Sequence, residues 1–164
     1  MNIKKNNAEI FKDIYSHNEY LEIKGGELLQ GNIKISGAKN SALVLMAASI
    51  LSRDQINLFN VPRISDVLVL SKILTAMGVK ISSNANQLRI NAKEISPPSQ
   101  DLSFDLFRAL RASFFCIGPL LARFGKAQIP LPGGCLIGSR PIDEHINSLE
   151  KLGVVFQFKN NYLN

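Results

Sequence analysis

Met77-Gly78-Val79 and Leu152-Gly153-Val154 stand 75 residues apart, and each closes an apolar helix-like run and opens a pair of short strand-like runs. Ahead of them, in the same order, come Arg63-x-x-Asp66 and Arg140-x-x-Asp143. Punctuation that recurs at this spacing marks one supersecondary unit used twice. Such units stack to bury the apolar face that neither covers alone, so a chain of this kind folds as an α/β repeat protein and is expected to aggregate or fold only partly without its neighbouring units.

Within the first unit, Gly31-Asn-Ile-Lys-Ile-Ser alternates as a strand does, and Ala38 to Leu51 is an alanine- and leucine-rich helix entered through Gly37. A strand is expected over Gln55 to Phe59. Ser65 is placed to cap a helix whose apolar residues Val67, Leu68, Leu70, Ile73, Leu74 and Met77 recur at three- and four-residue steps, with Gly78 ending it. Val79 to Ser83 and Gln87 to Asn91 then form a hairpin around Asn84-Ala85-Asn86.

After the linker Ser96-Pro-Pro-Ser the order returns: a helix from about Asp105 to Leu121, a strand over Lys126 to Leu131, a helix and a hairpin. The layout is thus a polar leader 1–20, a first unit 21–95 and a second unit 96–164. Leu163 follows Gly153 as Leu88 follows Gly78, at ten residues, so the second hairpin reads as cut short in its last strand and the chain as truncated. The units differ most in the loop before the second helix, short in Asn60–Ser65 and long in Pro132-Gly-Gly-Cys-Leu-Ile-Gly-Ser-Arg-Pro141. Extra loop length on a repeated scaffold is where function is sought.

With 164 residues, 46% of them hydrophobic and 20% charged, the chain can bury a globular core. The net charge of +6 is spread along it without aromatic interleaving, which favours small anionic ligands over nucleic acid. No segment reads as a signal-peptide core or a membrane span. Cys116 lies in an apolar run and Cys135 in a glycine-rich loop, so no disulfide framework is expected and a reducing cytosol is the natural setting.

Lys39 falls in the first turn of a helix, where the dipole disfavours a cation unless an anion is near. It reads either as a phosphate or carboxylate ligand or as a solvated surface lysine; Gly-Ala-Lys-Asn is not a P-loop. Pro141 suits a first helical position and leaves Arg140 at the positive end of the second such helix. Asp143 is equally readable as a first-turn acid or a ligand contact. His145 has no partner at metal-ligand spacing, and no metal or cofactor is expected.

Cys135, between Gly133-Gly134 and Gly138 and five residues from Arg140, reads as an exposed thiol with a lowered pKa, whereas Cys116 reads as a buried, inert one. Arg111, beside the small residues Ala112 and Ser113 and sharing a helix face with Arg108, reads as a ligand arginine or a solvated one.

Taken together, Gly37-Ala38-Lys39-Asn40, Leu110-Arg111-Ala112-Ser113 and the run from Pro132 to His145 resemble the enolpyruvyl transferase family, in particular UDP-N-acetylglucosamine 1-carboxyvinyltransferases, over Leu21 to Asn164. The resemblance implies an inverse α/β barrel of βαβαββ units, about two of six being present, in a two-domain enzyme whose remaining part completes the site. The shikimate-pathway transferases share the architecture but lack the cysteine loop.

The resemblance also implies transfer of the enolpyruvyl group of phosphoenolpyruvate to the 3′-hydroxyl of UDP-N-acetylglucosamine, in cytoplasmic peptidoglycan precursor synthesis, and therefore in cell wall biogenesis, shape and division. Lys39, Asn40 and Arg140 would hold phosphoenolpyruvate. Arg111, Arg140, Pro141, Ile142, Asp143 and Glu144 would contact the UDP-sugar. Cys135 would be the general acid and can form a phosphoenolpyruvate adduct, with Lys39 the second catalytic group. Two competing expectations are a non-catalytic remnant that binds UDP-sugar weakly and, from the basic pI alone, a nucleic-acid-binding module.

Overall fold

The computed structural model describes residues 22–26, 28, 30–96, 104–131, 142–159 and 162–163. The chain divides into two units, Met1–Lys34 and Ile35–Asn164. The described residues of the first form no helix or strand.

The strand expected over Gly31–Ser36 is not formed: these residues carry no regular structure, and Ile33 and Ile35 are 91% and 83% exposed. Alternation fits a strand, but a strand exists only when its N–H and C=O groups find an edge to pair with, and none is supplied by the described residues.

The unit Ile35–Asn164 opens with α1 (Lys39–Ala48), which a 3₁₀ turn extends to Leu51, then β1 (Gln55–Leu58), α2 (Ser65–Ala76), β2 (Lys80–Asn84) and β3 (Gln87–Asn91). It continues with α3 (Phe104–Arg108), a 3₁₀ turn Arg111–Cys116, α4 (Ile117–Phe124), β4 (Ile129–Pro130), α5 (Asp143–Lys151), β5 (Phe158–Lys159) and β6 (Tyr162–Leu163). β1, β3 and β2 form one antiparallel sheet in that order, and β4, β6 and β5 a second. The hairpins repeat in register: Ser83 pairs with Leu88 and Asn84 with Gln87, as Phe158 pairs with Leu163 and Lys159 with Tyr162, each 75 residues on.

Both glycines of the repeat stop their helices in the left-handed region, Gly78 at φ 91° and Gly153 at φ 93°. There Gly78 N–H donates to Thr75 and Val79 N–H to Leu74, while Gly153 N–H donates to Glu150 and Val154 N–H to Leu149, satisfying the last carbonyls of α2 and α5. Ser65 is not the cap of α2. It is the first helical residue, Ile64 precedes it in extended conformation, and no side chain caps the helix.

The single helix expected over Asp105–Leu121 is three pieces. The chain extends at Leu110 (φ −136°, ψ 114°), and the buried Ser113 hydroxyl donates back to the Phe107 carbonyl at 2.9 Å. That bond satisfies a carbonyl exposed by the break and fixes the bend. Arg108 and Arg111 consequently end one element and begin the next rather than sharing a helix face.

One apolar cluster runs through both halves, with Met46, Ile50, Leu70, Ile73 and Ile90 from the first and Phe107, Leu120, Ile129 and Leu163 from the second. Arg123, on α4, ties the halves through polar bonds. Its guanidinium donates to the carbonyls of Ile50 (2.7 Å), Ser52 (3.2 Å) and Lys93 (3.1 Å), the first two at the negative end of the 3₁₀ turn after α1.

Candidate functional site

Gly37 sets the entry to α1. A Cβ built there would lie 1.9 Å from the Asn60 carbonyl oxygen, so only glycine lets the chain pass against the β1–α2 loop, where Asn60 itself turns at φ 56°. This close passage brings the first residue of α1 beside the first turn of α2. The Lys39 ammonium and the Asp66 carboxylate pair there at 2.7 Å.

Lys39, Asn40, Asp66, Arg111, Phe115, Ile142 and His145 are among the residues lining one cavity of about 580 Å³, with Leu43, Val44 and Phe114 as apolar wall. Three helix starts meet it, through Lys39 of α1, Asp66 of α2 and Ile142, which precedes α5. Helix starts carry N–H donors and the positive end of the dipole, and Lys39, paired with Asp66, and Arg111 bring cationic side chains to the same lining. The arrangement is suited to a ligand bearing phosphate or carboxylate groups beside an uncharged, ring-like portion.

Of the candidate residues, Lys39, Asn40, Arg111 and Ile142 are brought together here from positions more than a hundred residues apart. Asp143 and Glu144 sit exposed on the first turn of α5, favourable with its dipole, and are not among the lining residues. Cys135, Arg140 and Pro141 lie outside the described residues. Arg108 is exposed and does not line the cavity.

His145 stands edge-on to Phe114, ring centroids 5.6 Å apart at 86°, and 6.3 Å from Phe115. Its place is that of an aromatic packing partner at the cavity wall. Among the described residues, no group of three His, Cys, Asp or Glu side chains is placed to hold a metal ion. No helix among them is long and apolar enough to cross a membrane. Cys116 is fully buried, and burial alone pushes its thiol up from 9.0 to about 12, which keeps it protonated and unreactive.

Among the lining residues that escape the sequence reading, Asp66 is visible only as half of the Arg63-x-x-Asp66 repeat mark, and Phe115 only as part of the apolar run that holds Cys116. A larger groove of about 720 Å³, lined by Ile117, Leu121, Leu152, Val154 and Phe156 among others, contains none of the candidate residues. Volume alone therefore does not single out the cavity that gathers the candidate residues.

Residues 23–164 match the family model described as EPSP synthase (3-phosphoshikimate 1-carboxyvinyltransferase). The chain is 54% identical over 143 residues to UDP-N-acetylglucosamine 1-carboxyvinyltransferase 2 of Prochlorococcus marinus, covering 87% of this chain and 34% of that protein. It is 49% identical over 136 residues to the UDP-N-acetylglucosamine 1-carboxyvinyltransferase of Parasynechococcus marenigrum, covering 83% and 31%.

The chain thus spans about a third of the length of the curated relatives it matches. The crystal structure of the enolpyruvyl transferase NikO from Streptomyces tendae superposes with a TM-score of 0.69 at 22% identity, over 85% of this chain and 30% of that one, so the fold is that of an enolpyruvyl transferase. By its sequence and its fold, the chain belongs to the EPSP synthase (3-phosphoshikimate 1-carboxyvinyltransferase) family.

Proposed function

We propose that this chain forms one wall of the active site of a UDP-N-acetylglucosamine 1-carboxyvinyltransferase, which moves the enolpyruvyl group of phosphoenolpyruvate to the sugar 3′-hydroxyl and releases phosphate. The observation that carries this reading is the meeting of Lys39, Asn40 and Arg111 in one cavity under three helix starts. The names of the relatives just described supply the UDP-sugar and the carboxyvinyl group, and phosphoenolpyruvate as its donor follows from the family resemblance.

In this reading Lys39, Asn40 and Arg140 hold phosphoenolpyruvate, and Arg111 with Arg140, Pro141, Ile142, Asp143 and Glu144 contacts the UDP-sugar. The sugar oxygen attacks C2 while Cys135 gives its proton to C3, producing a tetrahedral intermediate. Loss of a C3 proton then restores the double bond as the C2–O bond to phosphate breaks. Negative charge develops on the leaving phosphate, and Lys39 and Arg140 stabilise it more than they stabilise the substrate, the usual source of several kcal/mol in a closed site. Cys135 serves as general acid and can bond covalently to phosphoenolpyruvate.

The rest of the site comes from polypeptide that the relatives carry outside the third matched here. The units 21–95 and 96–164, and a cytoplasmic place in peptidoglycan precursor synthesis with its consequences for cell shape and division, belong to the same proposal. The rival reading is a remnant that binds UDP-sugar weakly without turnover.

Two measurements separate the readings. Calorimetric titration with UDP-N-acetylglucosamine and phosphoenolpyruvate tests the cavity, and phosphate release tests turnover, for the chain alone and joined to the remaining two thirds of a relative. Binding by both, with phosphate release only by the joined protein and its loss in Cys135→Ala, supports the proposal. Binding without release in the joined protein supports the remnant, and no binding by either removes the site.

A further inference from the structure

We propose that Asp66 is a positioning residue that competes with an anionic ligand for the Lys39 ammonium, and so limits how tightly this cavity holds a phosphate group. The inference rests on the reading of the cavity as a phosphoenolpyruvate site.

Lys39 is the first residue of α1. That helix has no acidic residue in its first turn and no side-chain cap, so the ammonium meets the positive end of the dipole with nothing local to offset it. Its partner is 27 residues away, the Asp66 carboxylate at 2.7 Å. Asp66 is differently placed: it lies in the first turn of α2, where the dipole already favours its charge.

The pair is therefore asymmetric, because Lys39 requires an anion and Asp66 has a second source of stabilisation. Both line the cavity, and their side chains remain 52% and 30% exposed, so a ligand can reach the ammonium without a core rearrangement. A phosphate carries up to two charges and three acceptor oxygens against the single charge of Asp66, and would take over the ammonium's donors. While it does so it stays close to a carboxylate that has lost its partner.

The cost of freeing the ammonium fixes the sign of the test. Unit charges paired at 2.7 Å attract in a water-like dielectric by enough that giving up the pair weakens anion binding roughly tenfold, less at high salt. Asp66→Asn keeps shape and hydrogen bonding and removes that competing attraction. A role confined to holding the fold would give unchanged or weaker binding in this variant, never tighter.

The experiment titrates inorganic phosphate, and separately phosphoenolpyruvate, into the ¹⁵N-labelled chain while following the amides of residues 39–41. The wild type, Asp66→Asn, Lys39→Met and the double variant are compared at two salt concentrations. Tighter binding by about five- to twentyfold in Asp66→Asn, shrinking at high salt and abolished in the Lys39→Met background, is the expected result.

Equal or weaker binding in Asp66→Asn overturns the proposal, as does a gain that survives removal of Lys39. If neither wild type nor Asp66→Asn binds either anion, the reading of the cavity itself fails. Asp66→Ser, which keeps a first-turn acceptor, replaces Asp66→Asn should the latter not fold, with the same gain expected and the same outcomes decisive.

Discussion

Replacing Arg123 by alanine removes three hydrogen bonds that join α4 to the first half of the repeat, to the carbonyls of Ile50, Ser52 and Lys93. Bonds from a charged donor are worth about 1.5–3 kcal/mol each when well buried. Arg123 is half-buried, and water replaces part of what is lost, so each bond is taken near 1 kcal/mol, for a total of about 3 kcal/mol. Lysine reaches one carbonyl at most and should recover about a third of the loss, since an ammonium cannot reproduce the guanidinium fork.

Urea unfolding followed by circular dichroism measures this directly. With a slope of about 1.5 kcal/mol per molar for a protein of this size, the midpoint of Arg123→Ala should fall by roughly 2 M, and that of Arg123→Lys by somewhat less. A midpoint for Arg123→Ala within about 0.3 M of the wild type would refute the idea that these bonds hold the halves together. So would equal midpoints for the lysine variant and the wild type.

Gly37→Ala should destabilise by about 2–4 kcal/mol, because the new Cβ meets the Asn60 carbonyl at 1.9 Å and one backbone must move; a midpoint near the wild type's would count against the close passage. Ala85→Gly should stabilise by about 0.5–1 kcal/mol, since Ala85 turns the first hairpin at φ 48°, and thermal unfolding will show the sign. The Cys116 thiol, raised from 9.0 to about 12 by burial, ionises in the unfolded chain before it does in the folded one. Its contribution is therefore intact below pH 9 and fades above it, by about 1 kcal/mol at pH 10, a slope that Cys116→Ala should remove from the pH dependence of stability.

Much of the repeat is readable from residues because it rests on local chemistry. A left-handed turn is cheap only for glycine, so Gly78 and Gly153 announce their helix ends without reference to anything distant. The first hairpin is equally local. The break at Leu110 is not, since Phe107 to Leu120 offers enough apolar residues to fit a continuous helix, and the bond from Ser113 back to Phe107 that accompanies the break appears only in the folded chain.

The site divides along the same line. Lys39 stands out because a cation at a helix start violates a local preference, whereas Asp66, its answer, lies 27 residues away and appears only once the backbone is folded. Arg123 is the clearest case: it looks like any basic residue near the end of a helix, and its three carbonyl partners come from segments about 30 to 73 residues earlier. The alternation of Gly31–Ser36 shows the opposite failure, a correct pattern with no edge for it to join among the described residues.

The burial of Cys116 reaches beyond stability. The chain holds two cysteines, and this one is sealed in the core with its thiol protonated throughout the neutral range. At pH 7 Cys116 is therefore closed to a maleimide or a fluorescent alkylating dye, with no mutagenesis needed to silence it. Any labelling of the wild-type sequence then reports on Cys135, the residue proposed to transfer the proton, and its rate as substrates are added gives an optical record of what happens there.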